Sequence, residues 1–71
     1  MSKILVKIDT STAAGLRQLR DARGLNLDEV AQKAEMDPTW LSRAERGLRP
    51  MNADQMARIR QAIETIVTRR E

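Results

Sequence analysis

Apolar positions along the chain change their spacing twice, and each change marks an element. From Lys3 to Asp9 (KILVKID) they are β-branched and nearly alternate, which predicts one short strand. The Asp9-Thr10-Ser11-Thr12 run that follows is a turn and helix-start signal. From about Thr12 to Arg23 the spacing becomes helical, with Leu16, Leu19 and Ala22 three residues apart and Gly24 where a C-terminal glycine belongs. Asn26 and Glu29 form the two ends of a capping box, and Leu27, Val30, Ala31 and Ala34 supply an i, i+3, i+4, i+7 stripe barely two turns long. After Glu35-Met36, too short for anything but a tight turn, Asp37 as N-cap and Pro38 at the first helical position predict a third helix that Gly47 ends. A longer last helix opens at Asn52, with Gln55 three residues on and Met56, Ile59, Ile63 and Ile66 spaced by three and four.

The third helix carries the chemistry. At about 100° per residue, Leu41 and Ala44 point to one side with Glu45 beside them, while Thr39, Ser42, Arg43 and Arg46 form a polar stripe opposite, with Trp40 on the flank. A carboxylate turned toward a small core costs several kcal/mol, on the order of a lost ion pair, unless a cation meets it. Arg20, one turn beyond Leu16 at the edge of the first helix's apolar face, is the best-placed partner; the bland alternative is that both side chains reach solvent.

Composition narrows the choices. The 71 residues make one small domain, and the lack of cysteine and histidine removes disulfides, thiolate metal sites and the commonest zinc ligand and general base. Ser42 and Thr39 have no His or clearly placed Lys beside them, no Gly-rich phosphate loop is present, and no cofactor or enzyme activity is expected. Thirteen Lys and Arg against ten Asp and Glu give +3, which favours a polyanionic partner only where the cations cluster. The longest run of large apolar residues is Ile4-Leu5-Val6, far too short to span a bilayer, and no stretch reads as a signal peptide, so the expected compartment is the cytoplasm, with nucleoid association.

A two-turn helix, a tight turn and a helix with an outward polar stripe have the geometry of a helix-turn-helix, whose second helix is narrow enough to enter the major groove. Residues 27–46, with GLNLDEVAQKA and LSRAERG at the expected spacing, resemble the unit of the phage repressor and Cro, or XRE, family, and the resemblance extends over roughly 13–63. It implies an all-α, four-helix, repressor-like domain, here over 11–71, to which the alternating pattern at the start of the chain adds an N-terminal strand arm over 1–10. It also places Ala31 where the two helices cross, buries Leu41 and Ala44, and makes Arg20–Glu45 a structural salt bridge. Two departures stand out. Leu27 replaces a phosphate-bonding Gln at the start of the second helix, and Glu35 replaces the glycine of the turn, where positive φ costs a non-glycine residue about 1 kcal/mol unless the turn bends differently.

On this reading double-stranded DNA is the partner. Thr39, Ser42 and Arg43 contact bases, Arg43 as a bidentate reader of guanine O6 and N7. Arg17, Asn26, Trp40, Arg46 and Arg49 are the candidates for the sugar-phosphate backbone. For Trp40, filling the hydrophobic flank or touching a base remain open alternatives. A reading helix this short grips few base pairs, so a homodimer on an inverted repeat is expected. Ile4, Val6 and Ile8 of the strand and Ile63, Ile66 and Val67 of the last helix, read as an uncovered apolar face, are its candidate contacts; local packing of both elements is the alternative. The favoured function is a transcriptional regulator acting as a repressor. An antitoxin that regulates its own operon and a protein-interaction module on the same fold are the other readings.

Overall fold

The computed structural model describes residues 8–70. Four helices follow in order: α1 (Ala13–Ala22), α2 (Leu27–Ala34), α3 (Pro38–Glu45) and α4 (Ala53–Arg70). Among the described residues there is no strand: Ile8 and Asp9, the end of the expected arm, are not extended in a sheet, and Ile4 and Val6 lie outside the described residues.

The caps are the ones the sequence supplies. Thr12 Oγ1 accepts from the Gly15 N–H at 3.0 Å, and Asn26 and Glu29 close both halves of a capping box at 2.8 and 3.0 Å. Asn52 and Gln55 do the same before α4, at 2.7 and 2.9 Å. At the other end of α1, Gly24 takes φ +68 while its N–H donates to Asp21 O and the Leu25 N–H donates to Arg20 O, the paired bonds of a Schellman turn. That turn drives Leu25 into the core at 3% exposure. Sequence periodicity points to Ala22 instead, but Ala22 is exposed.

Leu16, Leu25, Val30, Ala31, Ala34, Leu41, Ile59, Ala62 and Ile63 form one core, with Leu19, Met36, Trp40, Ile66 and Val67 packed at its margin. The expectation of an uncovered apolar face on the last helix is therefore corrected. Ile63 is 1% exposed and belongs to the core of its own chain, while Ile66 and Val67 are half-buried and keep part of their surface. Length explains this. At about 1.5 Å per residue, the 18 residues of α4 outrun the ten of α1 and the eight of α2, so one helix backs both shorter ones without a fifth.

Two backbone positions carry local strain or close approach. Gly15 lies under the preceding turn, where a Cβ would overlap the Asp9 carbonyl oxygen. Overpacking of this kind costs about 1–3 kcal/mol, and Ala regains about 0.5–1 kcal/mol over Gly within a helix. Gly15→Ala is thus expected to destabilise the domain by about 1–2 kcal/mol, read as a lower urea midpoint at unchanged slope. Glu35 ends α2 at φ 60, ψ 49, so the turn keeps the left-handed geometry despite its side chain. Replacing it with Gly is expected to raise stability by up to about 1 kcal/mol, visible as a higher melting temperature. The position is otherwise held from α4: Arg58 Nη2 donates to the Ala34 carbonyl at 2.7 Å and to that of Glu35 at 3.4 Å, satisfying helix-end acceptors.

Candidate nucleic-acid interface

Residues 35–37 set the angle between α2 and α3. The Glu35 N–H donates to Gln32 O at 3.1 Å and the Met36 N–H to Ala31 O at 2.8 Å, so α2 closes in a Schellman turn with Glu35 in the glycine position. Met36 packs against the core, and Asp37 restarts the chain by accepting from the Thr39 N–H at 2.9 Å, with Pro38 at the first helical position. An anchored side chain inside the turn leaves little freedom between the two helices.

α3 divides as its sequence requires. Leu41 and Ala44 are fully buried, whereas Thr39, Arg43 and Arg46 are exposed on the other side. Ser42 sits at the boundary, half-buried, and Arg46 Nε donates to its carbonyl at 3.4 Å. Trp40 is half-buried and packed against the core, which is the flank-filling use of the ring.

Behind this face lies the charge that holds it. Glu45 is 7% exposed, and Arg20 donates to it twice, from Nε to Oε2 and from Nη2 to Oε1, each at 2.9 Å. The third nitrogen, Nη1, donates to the Leu25 carbonyl at 2.9 Å, so one guanidinium ties α1, α3 and the α1–α2 turn together. Hydrogen bonding to Glu45 raises the Arg20 pKa above its ordinary value; burial opposes this, and the charges of Glu45 and Asp21 add to it. A cation with a raised pKa keeps its full contribution below its ordinary pKa and loses it only as pH climbs through the higher folded value. The pair is therefore insensitive to pH on its arginine side throughout the ordinary range.

The expected backbone contacts lie around α3. Arg17 on α1, Asn26 at the start of α2 and Arg49 after α3 are all exposed. Asn26 commits its Oδ1 to the cap and keeps its side-chain N–H groups for another acceptor. Among the described residues no group of His, Cys, Asp or Glu could hold a metal ion, and no helix is long and apolar enough to cross a membrane.

The helix pair α2–α3, its fixed turn and its one-sided polar face coincide with a sequence match: a family model described as a helix-turn-helix domain covers residues 13–71. The chain belongs to this family. No curated protein and no solved structure matches it. The second helix of the pair is α3. The match runs through α4, so the helix that backs the pair is part of the family's domain.

One residue beside the helix-turn-helix unit escaped the sequence reading. Leu48 follows Gly47, whose φ of +80 ends α3, and its N–H donates to Arg43 O at 2.8 Å. Its side chain is 65% exposed. The signal was available: the apolar residue after such a turn usually rests on the helix residue five positions earlier, and that residue is Arg43, which offers no apolar surface of that kind.

Proposed function

We propose that this chain is a sequence-specific, double-stranded-DNA-binding transcriptional regulator that reads the major groove with α3, binds an inverted-repeat operator as a dimer and acts as a repressor on the nucleoid. The observation that supports this most is the division of α3. Thr39, Arg43 and Arg46 are exposed together, with Ser42 at their edge, while Leu41, Ala44 and the neutralised Glu45 hold the opposite side in the core.

Each group has a role that its chemistry fits. Arg43 presents a planar fork suited to guanine O6 and N7, and Thr39 and Ser42 offer hydroxyls to base edges, Thr39 also a methyl to thymine. Arg46, Arg17, Arg49 and the Asn26 amide suit phosphates, which fix register and add salt dependence without choosing sequence. Trp40 can lay its exposed edge on the backbone while its ring stays in the core margin. Two copies double the interface, so their discrimination free energies add and their specificity ratios multiply. Repression needs no further module, since occupying a promoter suffices.

The test is selection of bound duplexes from a random pool. A two-fold symmetric motif with half-sites about one helical turn apart is expected. Enrichment of no sequence by a chain with a native helical spectrum would end this reading in favour of a protein-interaction module.

A further inference from the structure

α1 and α4 leave a shallow groove of about 170 Å³ between them, lined by Leu19 and Arg23 from α1 and by Ile63, Glu64, Val67 and Thr68 from α4. Its floor is apolar and only partly closed. Ile63 is buried at the bottom, while Leu19 and Val67 are half-buried and remain open on the outer side. Its rims carry one charge each, of opposite sign: Arg23 at the end of α1 and Glu64 on α4, both exposed. Neither Arg23 nor Glu64 pairs with another described residue.

We propose that this groove docks a second copy of the chain, related by a two-fold axis, with Arg23 of each copy meeting Glu64 of the other. This rests on the dimeric part of the reading above and assigns it a surface. Charge complementarity selects the occupant. In a two-fold contact residue i meets residue j and j meets i, so an apolar floor flanked by one cation and one anion is complementary to itself. Rims of a single sign would repel in the same arrangement. Both ion pairs would form between copies, where each removes a charge left unpaired in the monomer.

Position agrees, and the groove would be the centre of a wider contact. The lining residues belong to α1, its C-cap Arg23 and α4, and none belongs to α3. A stable contact of the smallest standard size buries about 600 Å² per copy, about one-eighth of the 5147 Å² that the chain exposes. The groove supplies the apolar centre of such a patch, and the exposed rims supply its polar edge.

Sedimentation of the full chain without DNA, over a range of concentrations, tests this. A monomer–dimer equilibrium is expected for the native sequence. Arg23→Glu and Glu64→Arg should each raise the dissociation constant at least about tenfold, because each places like charges together twice. The double reversal R23E/E64R should restore it. Both residues are exposed, so the variants should keep the native helical spectrum, which separates loss of docking from loss of fold; their melting should fall with the loss of the second copy and no longer depend on concentration. A dimer indifferent to both single reversals would overturn the groove while leaving the dimer itself standing. A chain that stays monomeric at every concentration, or that takes up a different protein through this groove, would overturn the docking; DNA reading would then be judged on the selected sequences alone.

Discussion

Replacing Arg20 by Ala is expected to cost about 3–5 kcal/mol of stability, because it leaves the Glu45 carboxylate buried without its cation. The side chain of Glu45 is 4% exposed in the pair, so water cannot take over both vacated hydrogen bonds. The Leu25 carbonyl loses its Arg20 donor in the same step. Stability of about 0.05–0.15 kcal/mol per residue gives a 71-residue chain on the order of 4–11 kcal/mol in total. The variant should therefore melt more than about 12 °C lower, and a domain at the low end of that range would not fold at room temperature. The neighbouring contact between Arg20 Nη1 and Asp21, at 3.5 Å, is a different case: Asp21 is 61% exposed, and its loss should change little. A double-mutant cycle distinguishes the pair from its parts. Arg20→Met with Glu45→Leu removes both charges and keeps apolar volume, and it should recover most of what either single change loses. If Arg20→Ala alone melts like the native chain, the ion pair is not what holds α3 against α1.

The four helices were legible because their signals are local. Each N-terminus is written in one capping residue, paired three positions on for Asn26 with Glu29 and Asn52 with Gln55, and followed by Pro38 for Asp37. Two of the C-termini are written in a glycine with positive φ. Even the misfit at Glu35 could be read as a cost, since the turn demands a left-handed residue whatever occupies it. The outward face of α3 followed from angular spacing alone. What could not be read is set by contacts distant along the chain or outside any period. Leu25 sits in a turn, where no periodicity marks it as core, and it is buried because the Schellman geometry of Gly24 aims it inward. Arg58 reaches back 24 residues to the Ala34 carbonyl, a bond that no window on α4 contains. The burial of Ile63 is of the same kind: its stripe is visible, but how far α1 and α2 cover it depends on how far α4 runs beside them.

Arg43→Ala is expected to remove discrimination at one base pair of each operator half-site, about 1–3 kcal/mol or roughly five- to 150-fold. The change should do this without unfolding the domain, since Arg43 is exposed and its carbonyl, not its side chain, serves the turn that ends α3. The decisive contrast is with Arg46→Ala. Arg46 is also exposed, but it stands three residues further on, where α3 gives way to Gly47, and its Nε already leans on the Ser42 carbonyl. Aimed at a phosphate, it should contribute equally to every sequence, so its loss should lower affinity across the board and flatten the salt dependence by about one counterion. Binding measured for both variants on the selected operator and on single-base substitutions, at several salt concentrations, separates the roles. The expected pattern is that Arg43→Ala tolerates a changed guanine that the native chain rejects while its salt slope stays close to native. Arg46→Ala should keep the native ranking of sequences at lower overall affinity. If Arg43→Ala instead weakens all operators in parallel, its guanidinium rests on the backbone, and sequence choice must come from Thr39 and Ser42, whose shorter side chains then have to sit closer to the bases.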